Sequence, residues 1–111
     1  MFYKVFYTDK FIPKGLDACT RSIVVLIRPS FKNDISLLKH ELTHVKQFYC
    51  NPLHALFYNF SKSYRLKCEI EAYKEQLKYC NPININHFAY MISNNYNINI
   101  TIEEAKKLLQ S

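Results

Sequence analysis

No stretch of this 111-residue chain stays apolar for the ~20 residues that a bilayer-spanning helix requires. The longest aliphatic run, Ile23 to Ile27, is far shorter, so no membrane-spanning segment is expected. The first residues, Met1 to Asp9, lack a basic stretch followed by an apolar one. No secretory signal is therefore visible, and a cytoplasmic location is expected unless a dedicated machine exports the protein. Cys19, Cys50, Cys68 and Cys80 form no C-x-x-C pair. With no signal toward an oxidising compartment, reduced thiols are the expectation. Tryptophan is absent and glycine occurs once, while Asn, Ile and Tyr are abundant. Biased codon supply accounts for that skew as readily as selection for a partner does. No linker, repeat or low-complexity segment divides the chain, so one domain over residues 1–111 is expected.

Arginine is scarce too. The net charge of +6 comes mainly from 12 lysines, with only 3 arginines. No arginine cluster or recognisable binding motif accompanies it, so nucleic acid is not the expected partner. Hydrophobic residues at 49% and charged residues at 22% are a globular balance. A chain of this length buries roughly 60–70% of its unfolded surface, enough for a modest core.

The patterning predicts an α+β fold with a short antiparallel N-terminal sheet followed by helices. Met1–Tyr7 alternates and is aromatic-rich, as a strand does, and Pro13-Lys14-Gly15 marks a turn. Ser22–Arg28 is a β-branched run ended by Pro29 and reads as a second strand. Asn33 or Asp34 can cap a helix over residues 35–50, stopped by Asn51-Pro52. Residues 53–60 are apolar and aromatic, a short helix or a packed loop. Residues 63–80 and 84–95 read as helices, and Thr101-Ile102-Glu103-Glu104 offers a capping box for a last helix to Gln110.

Within the first long helix stands His40-Glu41-Leu42-Thr43-His44. Residues i and i+4 lie one above the other, about 6 Å apart along the axis, and two imidazoles so placed can close on one zinc ion. Glu41 can then take a proton from water at the metal. From the residue counts, H-E-x-x-H arises by chance in roughly one such chain per hundred. The helical wheel puts Leu38, Leu42, Val45 and Tyr49 in a core stripe and Lys39, Thr43 and Lys46 on a solvated face. His40, Glu41 and His44 fall on a third, half-apolar face flanked by Leu37 and Phe48, and so outside the core.

Zinc needs a third protein ligand. One arrangement uses Gly three residues after the second histidine and His three further on, but Gln47 and Cys50 hold those places here. A glutamate from a following helix is the alternative. Leu66, Ile70, Tyr73 and Leu77 form that helix's expected buried stripe, with Glu69 about 60° from its centre beside Ala72 and Gln76. Glu71 points among Lys67, Lys74, Glu75 and Lys78. Glu69 is the better placed, Glu71 stays the alternative, and His54, His87 and Cys50 are outside candidates.

His40-Glu-Leu-Thr-His44-Val-Lys-Gln47, followed by Glu69-x-x-Ala72, resembles the gluzincin group of zinc metallopeptidases, in particular small zincin-like proteins of bacteria and phages. The resemblance spans roughly residues 12–77 and takes in Gly15-x-Asp17-Ala18 through Ile23–Arg28, where such proteins carry the edge strand above the cleft. It departs at Tyr73, where the E-x-x-A-D form has an acid that orients a zinc histidine. The resemblance implies a zincin-like fold and a peptidase with Zn2+ on His40, His44 and Glu69. Glu41 would serve as general base toward zinc-activated water, acting on peptide or protein substrates. Tyr64, Tyr90, Tyr96 and His87 are open candidates for stabilising the oxyanion. Strand Ser22–Arg28 either pairs with substrate or lies in the core. Two other classes stay open: a non-catalytic zinc-binding module of a phage or secretion-type assembly, and a basic nucleic-acid binder with an accidental H-E-x-x-H.

Overall fold

A computed structural model describes residues 1–111. The chain forms three short strands and five helices, an α+β arrangement. The strands are β1 (Lys4–Tyr7), β2 (Ala18–Arg21) and β3 (Val24–Ile27). The helices are α1 (Ile35–Cys50), α2 (His54–Phe60), α3 (Lys62–Leu77), α4 (Ile85–Asn95) and α5 (Ile102–Gln110). No helix is long and apolar enough to cross a membrane.

The sheet departs from expectation. Its order is β1-β3-β2, with β2 antiparallel to β3 and β1 parallel to β3. The purely antiparallel sheet is thus corrected to a mixed one. Ser22 takes a left-handed conformation (φ 58°) and turns β2 back onto β3. The predicted strand Ser22–Arg28 therefore begins only at Val24, and its first residues are a hairpin turn. The connection from Thr8 to Asp17 carries the chain across, leaving β1 on the far side of β3. Gly15 (φ 92°) supplies the positive φ this connection needs.

Alternation along β3 sends Val25 and Ile27 inward, where they pack with Ala18 of β2 and with Leu37 and Val45 of α1. A second apolar cluster joins Tyr73 of α3 to Phe88, Ala89 and Ile92 of α4, Ile98, and Ala105 and Leu109 of α5. Helices α1 and α3 pack against each other between these two cores. Asp34 accepts from the Leu37 N–H at the start of α1, and Ser61 from that of Tyr64 at the start of α3.

Burial on both helices differs from the wheel. In α1, Ser36, His40, Glu41, Thr43 and Gln47 are buried together with Leu37 and Val45, while Tyr49 is 49% exposed. Thr43 is not solvated. Its hydroxyl donates to the Lys39 carbonyl, 2.9 Å away. His40 (3% exposed) and Glu41 (4%) are as buried as core residues, because α3 covers the His40 face of α1 and β2 closes over Glu41. In α3 the buried line runs Glu69, Ala72, Tyr73, Gln76, and Leu66, Ile70 and Leu77 are only partly covered.

Candidate metal centre

Antiparallel packing of α1 on α3 brings His40, His44 and Glu69 together, a group that could hold a metal ion. The His40 and His44 Nε2 atoms are 3.2 Å apart. Glu69 Oε1 lies 3.3 Å from His40 Nε2, and Glu69 Oε2 lies 3.2 Å from His44 Nε2. Three donors held tetrahedrally about 2.0–2.1 Å from one ion stand about 3.3 Å from each other. Each imidazole nitrogen thus faces its own Glu69 oxygen at about that spacing, and one donor atom from each residue lies within 4.8 Å of the others.

Hydrogen bonds decide which nitrogen of His44 faces that triangle. The Gln47 Nε2 donates to the Cys68 carbonyl at 3.0 Å and to Glu71 Oε1 at 3.1 Å. Its amide oxygen is thereby turned to His44 Nδ1, 2.8 Å away. An amide oxygen only accepts, so Nδ1 carries a proton and Nε2 is the atom left for a metal. Glu71, the alternative third ligand, lies outside the triangle and braces Gln47.

The charge distribution asks for a cation. Glu69 is 1% exposed, with no lysine or arginine in ion-pair reach. Its neighbours are two imidazoles and the Tyr58 hydroxyl, which donates to Oε2 at 2.5 Å. Burial alone would raise the Glu69 pKa, but the His44 charge first, and then the imidazole nitrogens beside its oxygens, hold it well below the usual carboxylate range. Burial likewise works against an imidazolium at His44. The Glu69 carboxylate overcomes it, with Glu41 and the Gln47 bond assisting, and the His44 pKa is pushed up to about 9. Glu69 Oε1 has no hydrogen-bond donor, so a buried anion is left incompletely satisfied. Two imidazoles and a carboxylate are a donor set suited to zinc.

No family model, curated protein or solved structure matches this chain.

The triangle opens on a cleft of about 680 Å³ walled by β2, α1, α2 and the segment after α4. Glu41 lines it, with Oε2 3.8 Å from His40 Nε2. The Thr20 hydroxyl holds Glu41 Oε1 at 2.7 Å and fixes its rotamer from the sheet. The strand at the cleft is β2, an outer strand of the sheet. Of the two readings of Ser22–Arg28, the core strand holds, since its Val24–Ile27 is β3, paired on both sides with no backbone free for a substrate.

Of the other candidates, Tyr96 lines the cleft, and its hydroxyl meets that of Tyr73 at 2.8 Å. Tyr73, where an acid was expected, packs its ring 4.2 Å from the His40 ring, centroid to centroid. His54 lines the cleft and bonds the Tyr64 hydroxyl through Nδ1 at 2.8 Å. Tyr64 and Tyr90 are not part of the cleft wall. His87 lies behind His40 on a smaller cavity, and Cys50 is exposed, so neither joins the triangle.

Three residues at the site were missed from sequence. Gln47 had a readable signal, since a side chain three residues after a histidine on a helix can reach its Nδ1. Thr20 had none, being 21 residues from Glu41 with the sheet between. Tyr58 had none either, because the turn at Ser61 alone decides that α2 folds over α3. Burial and then the Glu69 charge raise the Tyr58 pKa, so its hydroxyl stays a donor.

Proposed function

We propose that the protein is a zinc-dependent metallopeptidase of zincin-like type, with His40, His44 and Glu69 holding Zn2+ and Glu41 as general base. The observation that carries this reading is the 3.2–3.3 Å donor triangle with a restrained carboxylate beside it at the cleft. When bound, zinc supplies a Lewis acid that polarises a carbonyl and makes water more acidic.

The chain's own residues do the rest. Glu41 accepts the proton of the water that attacks the scissile carbonyl and delivers it to the leaving amine. Thr20 keeps Glu41 aimed into the cleft, and Gln47 keeps His44 in the tautomer with Nε2 free. The outer edge of β2 offers unpaired backbone groups along the cleft, to which an extended peptide adds as another strand. Tyr96 is the one expected oxyanion candidate that lines this cleft, its hydroxyl held by that of Tyr73.

A peptide-library digest with zinc-loaded protein tests the reading. Cleavage should appear, and both a chelator and Glu41→Gln should abolish it. Glu41→Gln should still bind about one zinc per chain, since Glu41 is not a ligand. Zinc bound at one per chain with no cleavage would instead identify a non-catalytic metal-binding module. Absence of stoichiometric zinc would end the metal reading altogether.

A further inference from the structure

Beside His40, next to the cleft, lies a second cavity of about 40 Å³ that reaches Gln76 of α3. Two buried polar atoms on its walls lack any protein partner: His40 Nδ1 and Gln76 Oε1. Both residues are more than nine-tenths buried, His40 at 3% exposed and Gln76 at 6%. A single ordered water needs roughly 10–15 Å³ on this measure and two or more polar partners. The cavity supplies both.

We infer that an ordered water in this cavity bridges His40 Nδ1 to Gln76 Oε1, making Gln76 a positioning residue for the metal site. The inference rests on the zinc reading given above. With His40 Nε2 committed to the ion, Nδ1 carries the ring's proton and must donate it. Gln76 Oε1 accepts, yet neither atom has a hydrogen-bond partner in the protein, so the two do not meet directly and a third group must stand between. Water does so by accepting from Nδ1–H and donating to Oε1. Asp17 and His87 also line the cavity, but both are accessible enough for bulk solvent to serve them, whereas Gln76 Oε1 is not.

Each zinc histidine is then backed by a glutamine amide, His44 directly by Gln47 and His40 through water by Gln76. Gln76 lies seven residues after Glu69, two turns along the same buried line of α3. One helix thus supplies both the carboxylate and the brace for the opposing imidazole. This accounts for a site that functions with Tyr73 where an orienting acid was expected.

A crystal structure of the full chain at high resolution, with and without zinc, tests the bridge directly. A water within about 3.2 Å of both atoms is expected in each state. Zinc affinity by chelator competition gives the second readout. Gln76→Met, which keeps volume and removes the acceptor, should weaken binding roughly 10–100-fold. Gln76→Glu, which keeps an oxygen in place, should bind within about threefold of the native protein. Nitrogen-15 NMR of the zinc-loaded protein should show His40 protonated at Nδ1, with that signal shifted in Gln76→Met as its hydrogen bond is lost. A dry cavity, a water bonded to Asp17 in place of Gln76, or equal zinc affinity in Gln76→Met and native protein would overturn the inference. If Gln76→Met does not fold, the native crystal structure and NMR decide. If the native chain binds no zinc while the bridging water is present, the metal reading fails and the bridge stands.

Discussion

Glu69 carries a full negative charge to a place that solvent does not reach, with no lysine or arginine to meet it. Such a group is retained only where something positive compensates it. In the metal-free protein that role falls to the His44 proton, shared across 3.2 Å. Glu69→Gln should therefore weaken zinc binding by more than the roughly 10–100-fold typical of losing an outer hydrogen-bond partner, because a ligand and a charge go together. Glu71→Gln should change affinity less than about threefold, since the amide oxygen it introduces still accepts from Gln47. Chelator competition on the two variants separates them, and equal effects would show that Glu69 is not a ligand. That Glu69 outranked Glu71 was legible in the string, because lysines flank one and apolar residues the other. The depth of the site was not. One helix read alone shows one buried face, and the second buried face of α1 exists only because α3 lies on it.

Among the elements, the helices were far more legible than the sheet. Asp34, Asn51-Pro52 and the Thr101 capping box are local signals, and α1 and α5 begin and end within a residue of where those signals put them. β2 has no such signal. Ala-Cys-Thr-Arg is a weak strand sequence, and it becomes one because the Ser22 turn presses it against β3. Parallel pairing of β1 with β3 depends on the connection from Thr8 to Asp17, which carries the chain past β3. Helix α5 illustrates what a local signal is worth. The Glu104 N–H donates to Thr101 Oγ1 at 3.1 Å and the Thr101 N–H donates to Glu104 Oε1 at 3.3 Å. Ala105 and Leu109 then complete the apolar cluster that α3 leans on. Thr101→Ala should cost about 1 kcal/mol, lowering the melting temperature by about 4 °C. Thermal unfolding measures it. Zinc affinity should be unchanged, because the cap lies outside the metal centre. A drop in affinity with no drop in melting temperature would contradict this division between scaffold and site.

At the scale of the whole molecule, the candidate metal centre joins helices from two cores. His40 and His44 belong to α1, whose apolar face rests on the sheet, and Glu69 to α3, whose far side rests on α4 and α5. Without metal, the link is the His44–Glu69 ion pair, and its pH dependence has a definite sign. The folded-state pKa of His44 is raised from 6.5 to about 9, so its contribution is complete below 6.5 and disappears as pH rises through 9. The folded-state pKa of Glu69 is lowered from 4.5, so its contribution is present above that value and lost only in acid. Metal-free protein should accordingly be most stable between about pH 5 and 6.5 and lose melting temperature between 6.5 and 9. If the site binds zinc as proposed, the ion should reverse the trend over the same window. The ion takes the place of the His44 Nε2 proton, so each step up in pH removes a competitor and tightens binding. Because an ion that binds only the folded chain stabilises it in proportion to the logarithm of concentration over Kd, the zinc-induced gain in melting temperature should grow from pH 6.5 to 9. Scans at fixed free zinc and in chelator, taken at several pH values, give both curves. A zinc-induced gain that stays flat or shrinks across that window would mean that the ion does not displace the His44 proton, and that the two helices are joined by something other than the His40, His44 and Glu69 triangle.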